Sequence, residues 1–313
     1  LQVSDNEETT MRIPAYLKPG DTVVLIAPAR SVIETDIVSF QNWVAEQGWR
    51  LELSPYIFAV QNQFAGEDEM RAKDLAWALS HPTAKAIFTA RGGYGSMRTL
   101  EALEHLVGNV NHWLIQQHPK WFVGFSDMTT IHLWLNGQDW CSVHGPVATQ
   151  WAQQHPWVSE NNTDLYNALC GNELSLKVDS ANVVNQQVFS GELLGGNLSL
   201  IYAALGTENQ PKTAGKVLLI EDLDEYLYHI DRMIRSCKYA GVFHEIKALL
   251  VGSMIDMKDN AIPFGKAPRE IILDALGGMG FPILFDVEIG HDKRNHAVKL
   301  GCDITFDLQT LTQ

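Results

Sequence analysis

The apolar positions of this chain fall into two alternating rhythms. Residues 22–27, Thr-Val-Val-Leu-Ile-Ala, are a short unbroken run rich in β-branched side chains, opened by Lys18-Pro19-Gly20-Asp21 and closed by Pro28. Such a run predicts a strand buried on both faces. Over residues 32–48, Val32, Ile33, Ile37, Val38, Phe40, Trp43 and Val44 recur near helical spacing until Gly48 stops the pattern, which predicts a helix. Residues 49–53 predict a second strand. Residues 66–80 predict a second helix, with Glu67, Asp68 and Glu69 at the positive end of its dipole. A third strand is expected at 85–90, strand then helix again through 121–135, and a short strand at 141–144.

This alternation argues for an α/β fold: an open, mostly parallel, Rossmann-like sheet with helices on both faces and its chemistry at the carboxyl ends of the strands. From 145 to 190 no period is sustained, and Gln, Asn, His and Trp are scattered through the stretch. Beyond it come Gly191 to Asn197, a helical stretch to Leu205, strands at 216–220 and 246–251, helices at 226–240 and 268–276, and strand-like 282–287 and 304–306. The division expected is an N-terminal domain over 11–150, an inter-domain crossover over 151–190 and a mixed α/β C-terminal domain over 191–313. Residues 1–10 are polar and acidic and read as a tail or a processed end; a removed targeting segment stays open, because the chain does not begin with methionine.

Composition narrows the partners. With 313 residues, 46% hydrophobic and 19% charged, the chain can bury two ordinary cores. A formal net charge of -14 opposes nucleic acid and anionic membrane surfaces. No apolar run approaches the roughly 18 residues of a membrane span. Cys141, Cys170, Cys237 and Cys302 are widely spaced without Cys-x-x-Cys, so neither a zinc cage nor a disulfide framework is signalled, and a reduced, cytoplasmic setting is expected.

Four stretches could carry chemistry. In Trp121-Phe122-Val123-Gly124-Phe125-Ser126-Asp127, a hydroxyl stands where a strand should end and a helix begin. Ser126 there is either a nucleophile or an ordinary helix cap, and Met128 breaks the Gly-x-Ser-x-Gly signature of α/β-hydrolases. The turn Arg91-Gly92-Gly93-Tyr94-Gly95 follows a strand and lets backbone amides approach an anion, or is simply a tight loop; Arg98 replaces the third glycine of a dinucleotide fingerprint. Glu221 ends an apolar strand and is followed by Asp222, Asp224 and Glu225, either a solvated acidic loop or a carboxylate able to orient a histidine. His291 follows Gly290 in a polar loop and can serve as a base near neutrality; a metal held by His291, Asp292 and His296 lacks zinc-type spacing.

Taken in order, Lys18-Pro19-Gly20-Asp21, Arg91-Gly92-Gly93-Tyr94-Gly95, Gly124-Phe125-Ser126-Asp127, His144-Gly145-Pro146, Gly195-Gly196-Asn197-Leu198, Ile220-Glu221-Asp222, Asp231-Arg232 and Gly290-His291 resemble the LD-carboxypeptidases. That serine peptidase family includes murein tetrapeptide carboxypeptidases and microcin-immunity hydrolases. The resemblance implies an amidotransferase-like N-terminal domain, a separate C-terminal domain, commonly a homodimer, and a Ser126, Glu221, His291 triad. Backbone amides of Gly92, Gly93 and Asp127 would form the oxyanion hole. No metal or organic cofactor is implied. The implied substrate is a muropeptide, cut at the L,D bond before terminal D-alanine in peptidoglycan recycling. Aminoacyl-nucleotide analogues are the alternative, and a non-catalytic binding protein on the same scaffold is a second one.

Overall fold

The computed structural model describes residues 11–153 and 155–313; the acidic tail expected at 1–10 lies outside the described residues. Five strands, β1 (Thr22–Ile26), β2 (Arg50–Leu53), β3 (Ala84–Thr89), β4 (Trp121–Gly124) and β5 (Ser142–His144), pair in parallel in the order β2-β1-β3-β4-β5. Helices α1 (Glu34–Glu46), α2 (Asp68–Ser80), α3 (Ser96–Val107), α4 (Val110–Ile115) and α5 (Thr129–Gly137) make the crossovers. Both faces of the sheet are covered. Val23 and Leu25 pack into one core with Phe40, Trp43 and Phe88, and Val24 and Ile26 into another with Leu75, Phe122 and Ile131. A strand that buries alternate residues in opposite cores has no polar face, and this is why β1 reads as a continuous apolar run.

The chain then forms α6 (Pro156–Cys170), β6 (Ser175–Lys177), β7 (Val183–Val184), β8 (Phe189–Asn197), α7 (Leu198–Ala203), β9 (Val217–Leu223), α8 (Leu227–Tyr239), β10 (Ala248–Ile255), α9 (Pro268–Leu276), β11 (Ile283–Leu284), β12 (Val298–Leu300), β13 (Asp303–Phe306) and β14 (Thr310–Thr312). A second sheet runs β6-β14-β13-β8-β9-β10-β11-β7, parallel from β8 to β11 and antiparallel at its flanks. It too is sandwiched, with Leu218 and Ile220 facing one core and Val217 and Leu219 the other.

The structure departs from the sequence reading in several places, among them α3 and α4, which fall where no element was expected. The stretch without a period contains α6, a helix begun by Pro156 at its first turn and ended by Gly171 at φ 79°, whose Leu165, Ala168 and Leu169 enter the core beside β1. Half of its face is Asn, Ser, Glu and Thr, so the apolar stripe is too thin to stand out in the sequence. The strand β12 leaves the second sheet altogether and pairs antiparallel with β5, Val298 opposite His144. It therefore staples the C-terminal part of the chain to the edge of the first sheet, directly beside the carboxyl ends of β4 and β5.

Candidate active site

Ser126 follows β4 by two residues. Gly124 must be glycine, because a Cβ there would come within 2.6 Å of Thr89 Oγ1 and 2.7 Å of Met128 Cγ. Phe125 is extended, and the chain then turns sharply through Ser126 at φ 64°, into a 3₁₀ turn Ser126–Met128 and on into α5. A left-handed backbone on a serine costs roughly 1–2 kcal/mol and persists only where the surroundings impose it. The capping alternative does not hold: neither the turn nor α5 is capped by a side chain at its start. Ser126 is partly exposed among buried neighbours, and a Cβ on Gly92 would stand 3.4 Å from its hydroxyl oxygen.

The turn is held from behind. The Asp127 carboxylate accepts from the Ser96 amide at 2.8 Å, and the Ser96 hydroxyl donates to the Asp127 carbonyl at 2.7 Å, so the start of α3 and the serine turn brace one another. Burial raises the Asp127 carboxyl above its usual range, opposed by these bonds. Behind Gly124, His132 lies between the Gly124 carbonyl and the Ser142 hydroxyl, 2.8 Å from each. Burial pushes its imidazole down to about 4, so it is neutral, one nitrogen donating to the carbonyl and the other accepting from the hydroxyl. His144, at the end of β5, is also wholly buried; burial first, then the neighbouring His132 and His291, hold it well below the usual imidazole range.

Glu221 does not stand at the end of its strand as expected, since β9 continues to Leu223. Nor is the acidic cluster solvated at its start. Glu221 and Asp222 are buried, whereas Asp224 pairs with Lys258 and Glu225 with His229. Room for Glu221 comes from Gly252 on the adjacent strand and from Gly290. A Cβ on the first would lie 3.1 Å from Glu221 Cβ, and one on the second 2.8 Å from Glu221 Oε2. Asp222 turns the other way, accepting from Asn197 Nδ2 at 3.0 Å and from the Ser199 amide at 2.9 Å. Burial and then the adjacent Glu221 raise it to about 7.

His291 Nδ1 lies 2.6 Å from Glu221 Oε2. Its backbone amide donates to Ser253 Oγ at 2.7 Å, the Gly290 amide to Asn295 Oδ1 at 2.9 Å, and Asn161 of α6 accepts from the Asn295 amide at 3.1 Å. The loop is therefore fixed from three directions. The His291 ring packs on Phe125 with centroids 4.7 Å apart, so Glu221 and His291 arrive beside the residue that precedes Ser126. Ser126 and His291 are not themselves hydrogen-bonded. A cavity of about 590 Å³ lies elsewhere, between α3, α5 and α7, whereas one of about 390 Å³ opens at His291, Asp292 and Lys293 against Pro146, Gln150 and Asn161.

Gly92 touches the serine, and the Asp127 amide opens the 3₁₀ turn, where helical starts leave amides without internal partners. His296 faces Asp164 at 2.5 Å and Glu288 at 3.2 Å rather than His291. Among the described residues no group of three or more His, Cys, Asp or Glu is arranged to hold a metal. Arg98, where a fingerprint glycine would stand, pairs with Asp68. Ser253, Asn161, His132 and Thr129 escaped the sequence reading, because nothing local distinguishes a serine or asparagine that anchors a distant loop.

An α/β protein with a serine on a strained strand-to-helix turn, and beside it a part-buried histidine paired with a buried glutamate, has the layout of a serine hydrolase. Residues 23–145 match the LD-carboxypeptidase N-terminal domain and residues 190–306 the LD-carboxypeptidase C-terminal domain, and the chain belongs to that family. A protein of Synechocystis sp., provisionally named a carboxypeptidase, is 32% identical over 299 residues, covering 94% of each chain. The murein tetrapeptide carboxypeptidase of Pseudomonas aeruginosa is 27% identical, covering 89% of this chain and 91% of that one. In fold the chain is similar to muramoyltetrapeptide carboxypeptidase from Oxalobacter formigenes (TM-score 0.80, 23% identity, 93% of this chain and 97% of that one). It is equally similar to MccF in complex with glutamyl sulfamoyl guanosine (TM-score 0.81, 17% identity, 96% and 98%). Among the described residues no helix is long and apolar enough to cross a membrane.

Proposed function

We propose that the chain is a serine carboxypeptidase that hydrolyses the L,D peptide bond to the terminal D-alanine of murein tetrapeptides. The observation that carries this is the Glu221–His291 pair at 2.6 Å, packed on Phe125 beside Ser126. With Nδ1–H committed to Glu221, the lone pair of His291 Nε2 is left as the base. It takes the Ser126 proton as the hydroxyl oxygen attacks the scissile carbonyl, and Glu221 stabilises the imidazolium that results. The amides of Gly92, Gly93 and Asp127 receive the oxyanion. His291 then returns the proton to the leaving amine of D-alanine, and water, deprotonated by the same imidazole, releases the tripeptide from Ser126.

A free serine–histidine pair often tightens only when substrate is bound, so an apo site without that bond is compatible with this chemistry. The cavity at His291 is within the range of about 300–1,000 Å³ that small ligands occupy. On this reading residues 11–150 and 191–313 act as two domains that together build the site, and the enzyme is a cytoplasmic homodimer serving peptidoglycan recycling. Neither nucleic acid nor a membrane is part of it. D-Alanine release from tetrapeptide by wild type and Ser126→Ala, with an aminoacyl sulfamoyl nucleoside run in parallel, tests the reading. Turnover of tetrapeptide that Ser126→Ala abolishes supports it; hydrolysis of the nucleoside alone would move the substrate to the second class, and full activity in the variant would discard the serine mechanism.

A further inference from the structure

We infer that Arg30 binds the free terminal carboxylate of the substrate and so restricts cleavage to the last residue; this rests on the carboxypeptidase reading above. An enzyme that removes one residue must hold the chain end one residue beyond the attacked carbonyl. That span is at most roughly 3.6 Å. A guanidinium meeting the carboxylate through N–H···O contacts of about 2.7–2.9 Å must therefore sit close to the nucleophile.

Arg30 stands at the same edge of the sheet, against the glycine turn that meets Ser126. In the order β2-β1-β3-β4-β5 the chain reverses direction across the sheet between β1 and β3, and ligands of such sheets lie in the crevice outside the carboxyl ends at that point. Arg30 follows β1, Gly92 and Gly93 follow β3, and Ser126 follows β4. A Cβ on Gly93 would fall 2.5 Å from Arg30 Cδ and 2.7 Å from its Nε, so the arginine stem lies directly on the Gly93 backbone. Gly92, whose Cα is about 3.8 Å away along the chain, is the residue that meets the Ser126 hydroxyl. Gly93, at φ 103°, is favoured as glycine by its backbone, and the absence of a Cβ leaves room for the arginine stem.

The guanidinium is also available. Arg71, Arg98, Arg235, Arg269 and Arg294 each face a carboxylate, whereas Arg30 is exposed and, among the described residues, forms no ion pair. In a chain of net charge -14, an uncompensated cation against the glycine turn that meets Ser126 is an attractor for an anion, and the planar fork of arginine matches a carboxylate bidentately. Arg91 is likewise exposed and opens the glycine turn itself, and Lys293 lines the cavity at His291 while lying over Trp157, so both serve as the comparison cations.

The test compares kcat/KM on a tetrapeptide with that on its C-terminal amide, reading the common tripeptide product by chromatography. Full-length wild type, Arg30→Gln, Arg30→Lys, Arg91→Gln and Lys293→Gln are assayed. The carboxylate-to-amide preference of wild type is expected to fall about 10- to 100-fold in Arg30→Gln, chiefly through KM, and to survive in part in Arg30→Lys. A merely structural role would lower both substrates alike and keep the ratio, which would overturn the assignment, as would a collapse of the ratio in Arg91→Gln or Lys293→Gln instead. Wild type that yields no tripeptide from either substrate fails the carboxypeptidase reading itself, and the assignment with it.

Discussion

Glu221 holds His291 by one carboxylate oxygen, at 2.6 Å from Nδ1, while its other oxygen is buried without a partner. The pair spans 70 positions of sequence, and among the described residues Glu221 is the one hydrogen-bond partner of the imidazole, which also packs on Phe125. Replacing the carboxylate by an amide of the same shape allows the opposite tautomer, with the proton on Nε2. Glu221→Gln is expected to lower kcat by a factor on the order of 10⁴ with the fold retained, read by steady-state kinetics alongside circular dichroism. An activity within tenfold of wild type would show that the tautomer is not set by Glu221.

Ser126 combines function with backbone strain. At φ 64° glycine is at ease and alanine is not, so Ser126→Gly and Ser126→Ala should both be inactive yet differ in stability. The glycine variant is expected to be the more stable of the two by about 1 kcal/mol, the left-handed penalty less the entropy cost of glycine. Denaturant titration of both proteins measures it. Equal midpoints would mean that the turn relaxes away from the left-handed region once the hydroxyl is lost.

The first turn of α5 is tied to the second sheet through Thr129, whose hydroxyl accepts from the Asn197 amide at 3.0 Å; Asn197 in turn donates to Asp222. A Cβ on the adjacent Gly196 would stand 2.6 Å from the same hydroxyl, so the two elements are in direct contact. Thr129→Val keeps the shape and leaves the Asn197 amide buried and unpaired. A loss of about 1–3 kcal/mol in unfolding free energy is expected, with a smaller loss for Thr129→Ser. Equal stability of the valine variant and wild type would count against this tie.

His132 makes the region behind Gly124 acid-sensitive. Its folded-state value of about 4 lies below the ordinary imidazole value near 6.5, so the folded protein binds fewer protons than the unfolded chain between those limits. Its contribution to stability is fully present above about pH 6.5 and is lost as pH falls towards about 4. Asp222, raised to about 7, has the opposite sign: the folded protein then holds the extra proton, and stability falls as pH rises from about 4 to about 7. Unfolding free energies across pH 4–7 for wild type, His132→Gln and Asp222→Asn separate the two. The first variant should be relatively less penalised at acid pH, and the second should gain on wild type as pH rises.

Much of the architecture was legible because the first sheet buries both faces of its strands. A run such as Thr22 to Ile26 has no other stable use, and its alternation with amphipathic helices predicts the parallel sheet. α6 was not legible, since its apolar stripe is narrow, and β12 was not, since three residues, Val298 to Leu300, carry no pairing information of their own. At the candidate site the strand-end serine, the glycine turn and the histidine loop could be picked out as segments. Local sequence leaves Glu221 between a solvated acidic run and a carboxylate that orients a histidine, and only the family motifs point to the second. Burial excludes the solvated alternative, and burial depends on Gly252 and Gly290, far away in sequence, making room for the side chain.

By itself the sequence determined the rhythm of strands and helices, the placing of glycines at turns with positive φ, and the family motifs in their order. Those are local properties, set by side-chain periodicity and backbone sterics. Only the tertiary structure decided that Glu221 and His291 meet, that the pair packs on Phe125 beside Ser126, and that the stem of Arg30 lies on Gly93. Such contacts join residues tens of positions apart, and they follow from how β1 pairs with β3, how β12 pairs with β5 and how the two sheets pack, which no short stretch of sequence encodes.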